Sequence, residues 1–237
     1  MVRDLSPPTS PNSISVLIDI EGIDGAGKGT QARLLCERLQ AAGVSHRLLS
    51  FPRYAETLFG QIAGEFLNGR FGNLDEVHPL LAALIFAGDR AESRDVLLGA
   101  LDTNAVVVLD RYIPSNIAHQ AAKRRGAERA ELIERINRIE YEINRLPAPT
   151  LTVLLDLPAP VAQTLIASKA ARNYTTQAAD LQEADGEYLA EVREVYCELS
   201  KQANWQCIEC VRQGAMRSMD EIASDVWSHV QPLLPVS

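Results

Sequence analysis

The stretch "ISVLIDIEGIDGAGKGTQ", residues 14–31, sets an apolar run directly before a glycine-rich turn and a polar, periodic segment. A strand that hands over to a helix through glycines is the local signature of a phosphate-binding loop. Gly22, Gly25 and Gly27 let the backbone turn tightly so that its N–H groups converge on an anion. The helix predicted to begin near Lys28 adds the positive end of its dipole. Lys28 itself brings a mobile charge to a transferred phosphate. The common form of the loop carries a hydroxyl directly after the lysine to hold magnesium. Here Gly29 occupies that place and Thr30 comes one later. The candidate nucleotide-phosphate site is therefore the whole run Gly22, Ile23, Asp24, Gly25, Ala26, Gly27, Lys28, Gly29 and Thr30.

Four more short apolar runs lie further along the chain: "HRLLSF" at 46–51, "AVVVLD" at 105–110, "TLTVLLDL" at 150–157 and "WQCIECV" at 205–211. Helical periodicity fills the spaces between them, near 28–42, 56–68, 75–101, 114–124, 128–145, 158–169 and 187–203, with a last helix from about 218. Strands alternating with helices predict an α/β fold whose parallel sheet is covered on both faces. Leu132, Ile136, Ile139, Ile143 and Leu146 form one apolar stripe, read as core packing with a dimer surface as the alternative.

A chain of 237 residues, 46% hydrophobic and 23% charged, can bury a full core and reads as one domain over 14–237 behind a disordered tail, 1–13. No apolar run is long enough to span a bilayer, and the proline- and serine-rich start is unlike a signal peptide. The expectation is a cytoplasmic protein with reduced thiols. A net charge of −8 argues against a nucleic-acid partner, because phosphate backbones are held by a surplus of lysine and arginine. Cys207 and Cys210 form a C-x-x-C without a second pair, and His46, His78, His119 and His229 are scattered, so no metal cluster emerges.

In open parallel sheets a second substrate binds outside the carboxyl ends of the strands. "FPRY" at 51–54 and "DRY" at 110–112 both put an arginine there. An acceptor hydroxyl would want a carboxylate to take its proton, whereas an acceptor phosphate wants cationic clamps. Arg53 and Arg111 favour the phosphate. Asp110 ends an apolar strand, as a magnesium partner or an arginine brace. In "LIFAGDR", Phe86 and Arg90 share a helix face, where an aromatic ring can stack on a base while a guanidinium bonds its edge. In "DRYIPSNIAHQ", Asn116, His119 and Gln120 line one side of a helix, and Asn116 can read a base through paired donor and acceptor.

Taken in order, "EGIDGAGKGTQ", "FPRY", "LIFAGDR" and "DRYIPSN" resemble the thymidylate kinase family of P-loop nucleoside monophosphate kinases over about residues 14–211. The resemblance implies a three-layer P-loop kinase sandwich with a five-stranded parallel sheet, usually a homodimer. It implies transfer of a phosphoryl group from ATP to dTMP with Mg²⁺. By motif, Phe51 and Pro52 would shape the base pocket, Phe86 would stack on thymine, and Arg90 and Asn116 would meet its polar edge. Arg53 and Arg111 would hold the monophosphate, His119 would lie near the sugar, and Asp24 would approach the 3′-hydroxyl or the metal. Lys28, Arg111, Asp24 and a lid arginine would be catalytic, with Thr30, Asp24 and Asp110 around the metal. Some relatives carry that arginine inside the phosphate loop, where this chain has Gly25; a lid over about 168–186 would supply it through Arg172, with Lys169 beside it. "GKGTQ" is also similar to the adenylate kinase loop, so an adenylate-kinase-like enzyme is the near alternative and a non-catalytic nucleotide-binding regulator the far one.

Overall fold

A computed structural model describes residues 15–73, 76–167 and 186–234. Five strands pair in parallel in the order β2-β3-β1-β4-β5: β1 Val16–Glu21, β2 His46–Ser50, β3 Val106–Asp110, β4 Leu151–Asp156 and β5 Trp205–Glu209. The central strand β1 is buried at every residue, because helices cover both faces of the sheet. Alternation along it divides the core in two. Ile18 and Ile20 join Val106, Val108, Val153 and Leu155 under α1 (Lys28–Ala41), α8 (Gly186–Leu199) and α9 (Met219–Val230). Leu17 joins Val107 and Leu109 under α4 (Arg94–Thr103), α5 (Ile113–Ala121) and α6 (Gly126–Asn137). The other helices are α2 (Leu58–Leu67), α3 (Pro79–Glu92) and α7 (Ala159–Ala167), and a two-residue hairpin, β6 Val211–Arg212 with β7 Ala215–Met216, lies outside the sequence expectation.

Two helices depart from their predicted form. The segment predicted as one helix over 75–101 breaks at Ser93, which ends α3 and precedes α4. Ser93 is buried, and its hydroxyl accepts a hydrogen bond from Arg53 (3.2 Å). The helix predicted over 128–145 widens into a π turn at Arg138–Ile143. Its signature is the Asn144 N–H bonding back five residues to the Ile139 carbonyl (2.9 Å). The extra residue rotates the stripe. Leu132, Ile136 and Leu146 enter the core, while Ile143 turns outward at 66% exposure and Glu140 turns fully inward. The tail, 1–13, and the predicted lid over about 168–186, Lys169 and Arg172 included, lie outside the described residues, except that Gly186 begins α8.

Candidate active site

The carboxyl ends of β1, β2 and β3 meet where the strand order reverses, the place such sheets offer to ligands. Two cavities open there. One, of about 420 Å³, is lined by the loop residues Asp24, Gly25, Gly27, Lys28, Gly29 and Thr30 with Arg33, Ser50, Asp110 and Arg111. The other, of about 280 Å³, is lined by Phe51, Pro52, Tyr54, Leu67, Phe86, Arg90, Tyr112, Ser115, Asn116, His119 and Gln120. Asp24, Ser50, Asp110 and Arg111 belong to both walls.

Gly29 is crowded by a movable neighbour: a side chain added there would begin 2.9 Å from the Asp110 Oδ2, the end of the carboxylate that closes β3. Gly25 is closed for a different reason: its φ is +86°, and a Cβ there would lie 2.9 Å from the Ala162 carbonyl of α7. Lys28 is buried and folds back over the loop, donating to the Gly22 (2.9 Å) and Ile23 (2.8 Å) carbonyls. Burial first, then the neighbouring Arg111 guanidinium, lower its ammonium to about 8.

Arg111 sits at φ +70°, a left-handed conformation that a non-glycine residue holds only where its surroundings fix it. Its N–H bonds to Ile20 (3.2 Å), and its guanidinium pairs with Asp24 and donates to the Ser115 hydroxyl (3.1 Å). His119 completes this corner. The Tyr188 hydroxyl donates to the His119 carbonyl (2.8 Å), so Tyr188 must accept from the Nδ1–H (3.1 Å), leaving Nε2 as the acceptor facing Arg111. Burial pushes the imidazole down to about 3, and it is neutral.

Two carboxylates that sequence reasoning passed over organise the pocket. Glu21, fully buried at the end of β1, accepts from the Tyr112 N–H (2.8 Å), the Ser115 N–H (3.0 Å) and hydroxyl (2.7 Å), and the Tyr196 hydroxyl (2.8 Å). It thereby caps α5, whose own N-cap residue offers no side chain. Glu140, delivered by the π turn, pairs with Arg90 through Nε and Nη2 and accepts from the Asn116 amide (2.9 Å). Asn116 Nδ2 also donates to the Ala83 carbonyl (3.0 Å). Both donors of that amide are thus directed at acceptors, and its Oδ1 is buried with no partner among the described residues.

Phe86 lines the apolar side, held edge-on by Phe66 at 6.0 Å. Gly22, Ile23 and Ala26 of the predicted loop site line neither cavity, and among the predicted substrate residues Arg53 stands apart. Its backbone N–H is held by Asp89 (3.1 Å), and its side chain runs to Ser93 and to Glu56 (3.3 Å), so it lines neither cavity. The sequence places Gln120 only on a helix face; in the structure it is a fully buried cavity residue whose Nε2 has no partner among the described residues.

The thymidylate kinase family model matches residues 20–222. The chain belongs to this family. A thymidylate kinase of Mycobacterium tuberculosis is 37% identical over 79% of this chain and 86% of its own. One from Synechococcus is 32% identical over 94% and 97%, and a probable thymidylate kinase of Thermococcus onnurineus is 33% identical over 91% and 97%. The solved thymidylate kinase of Candida albicans superimposes with a TM-score of 0.69 at 24% identity, covering 92% of each chain, a likeness of fold.

Proposed function

We infer that this chain is an ATP:dTMP phosphotransferase: a phosphate oxygen of dTMP attacks the γ-phosphorus of ATP, the bond to the bridging oxygen breaks, and ADP and dTDP leave. One observation carries the acceptor's identity. Among the described residues Asn116 offers an unpartnered acceptor and Gln120 an unpartnered donor, four residues apart on one face of α5, and both residues line the cavity that meets the phosphate loop at Arg111. Thymine presents an N3–H donor beside carbonyl acceptors and satisfies both amides. Adenine and cytosine present the reverse pattern, which leaves buried polar atoms facing like atoms. The adenylate-kinase-like alternative is disfavoured on that ground, and guanine, which shares thymine's pattern, is larger.

In this reading ATP phosphates lie against the loop, with its glycine N–H groups and the start of α1 as the anion cradle. Lys28 exchanges its carbonyl contacts for phosphate oxygens, and a bound phosphate raises its pKa back toward full charge. Arg111 holds the acceptor phosphate, and Phe86 stacks on the base. Arg53 reaches that phosphate only by releasing Ser93 and Glu56. Asp110, Thr30 and Asp24 face the loop cavity as oxygen donors suited to Mg²⁺. No larger cluster of metal-ligating side chains exists among the described residues, which fits an ion that keeps waters and is held mainly by nucleotide phosphates. Bound there, Mg²⁺ neutralises charge on the transferring phosphates. Arg172 is proposed to add a guanidinium to that charge.

We also propose a cytoplasmic homodimer. No described helix is long and apolar enough to cross a membrane. Leu58 of α2 and Leu81 and Leu84 of α3 are exposed at 61%, 58% and 42%, an apolar face suited to a second copy. Light scattering after gel filtration tests the dimer. The decisive assay for the activity couples ADP release to dTMP, dUMP, AMP, CMP and GMP in turn. The expected order puts dTMP first; fastest turnover of AMP would overturn the assignment.

A further inference from the structure

The two ends of a side-chain amide have nearly the same shape, so only their neighbours decide which end a ligand meets. Gln120 is oriented by one residue. Lys123, a turn beyond it, donates from Nζ to the Gln120 Oε1 (3.2 Å). An ammonium has three donors and no acceptor, so it holds the oxygen and rejects the –NH₂. Two rings stand beside it: Nζ is 5.5 Å from the Phe66 centroid and 6.0 Å from that of Tyr188. Phe66 is the ring that steadies Phe86. The cation thus holds the oxygen end of an amide whose residue lines the base cavity, while Lys123 itself does not line it.

We propose that Lys123 is a specificity-positioning residue that fixes the polarity of base readout by turning the Gln120 Nε2 toward the base. The proposal rests on the reading of this cavity as the acceptor-base site. Glu140 and the Ala83 carbonyl orient Asn116 in the opposite sense, leaving Oδ1 for the base. Reversing either amide changes the edge that is read. With Lys123 in place, a pyrimidine carrying an exocyclic amino group meets N–H against N–H at Gln120. Without it, Gln120 is free to rotate and present its oxygen to that amino group, and discrimination against cytosine weakens.

The test compares kcat and KM for dTMP and dCMP, with dCMP also measured as a competitor of dTMP, in wild type, Lys123→Met, Lys123→Arg and Gln120→Leu. Methionine keeps an aliphatic stem over Phe66 while removing the donor; arginine keeps a cationic donor. Lys123→Met is expected to lower the dTMP preference about tenfold, mainly through KM, as befits one charge-assisted hydrogen bond. Lys123→Arg is expected to retain most of it, and Lys123→Met added to Gln120→Leu to change it no further. An unchanged preference in Lys123→Met, an equal loss for both nucleotides, or full additivity with Gln120→Leu would overturn the proposal. Failure of the wild type to use dTMP at all would instead remove the acceptor assignment beneath it.

Discussion

The Asp110 carboxylate stands 2.9 Å from the point where a side chain at Gly29 would begin. Gly29→Ser, which restores the common loop hydroxyl, therefore drives Asp110 out of its place. Because the displaced group is the far end of a side chain, stability should change by less than about 1 kcal/mol. The Mg²⁺ concentration for half-maximal activity should rise, on the order of tenfold, as one donor is moved from the ion. A magnesium titration of the variant checks this; an unchanged midpoint would mean that Asp110 does not serve the metal.

In the proposed reading Arg111 takes the acceptor's phosphate and Phe86 its base. Arg111→Ala should cost dTMP binding about 2–3 kcal/mol, the worth of a charge-assisted phosphate contact, and leave thymidine binding nearly intact. Phe86→Ala should weaken both. Calorimetric titration with each ligand separates the roles, and an equal loss of both ligands in Arg111→Ala contradicts its assignment to the phosphate.

The Arg90–Glu140 pair is buried, with side chains 3% and 0% exposed. Removing one partner strands the other charge away from water, at a cost of about 3–5 kcal/mol. Glu140→Ala should show this in its urea midpoint and should also release Asn116, raising KM for dTMP. A loss below about 1 kcal/mol would mean that water or another group replaces the carboxylate.

Asp19 poses the opposite case. It lies in β1 at 0% exposure, and neither carboxylate oxygen is hydrogen-bonded among the described residues. Burial first, then Glu21 and Asp110, push its pKa well above 3.8. The folded state keeps its proton where the unfolded chain has lost it, so folding stability falls as pH rises above about 4 toward the raised folded value. Asp19→Val should remove that part of the pH dependence and add about 1–3 kcal/mol near pH 7. Urea midpoints of both proteins at pH 4.5 and 7.5 decide it; parallel shifts in the two would clear Asp19 of the effect.

A catalytic arginine cannot be moved into the loop at Gly25, where φ +86° and the Ala162 carbonyl leave no room for a Cβ. Arg172→Ala should lower kcat by roughly a thousandfold with dTMP affinity nearly unchanged, as for other phosphoryl-transfer arginines. Gly25→Arg in that background should not restore the rate and should lower the melting temperature. A near-normal kcat for Arg172→Ala would move the role elsewhere, with Arg53 next.

The strands and the loop were legible because their cues are local: apolar runs for a sheet covered on both faces, glycines for a tight anion-binding turn. Phe86, Arg90, Asn116, His119 and Arg111 were legible as a set through their motifs, and the structure brings all five to one cavity. What escaped depended on distant partners. Glu21 looks like the polar end of a strand until Ser115, 94 residues later, binds it. Glu140 falls on the charged side of an ideal helix, and only the π turn brings it to Arg90, 50 residues away. The break at Ser93 reflects its contact with Arg53, 40 residues earlier, which no helical period encodes. Gln120 was in view, but its unpaired nitrogen becomes visible only when every neighbour is placed.

Since Arg111 and Asp24 stand in the wall common to both cavities and hold each other there, a phosphate arriving on either side competes with Asp24 for the guanidinium. In the proposed reaction the first nucleotide would loosen that pair, and the second would find it already loosened. Donor and acceptor are then coupled positively through one ion pair. Linkage makes the coupling symmetric: the factor by which a non-hydrolysable ATP analogue tightens dTMP is the factor by which dTMP tightens the analogue.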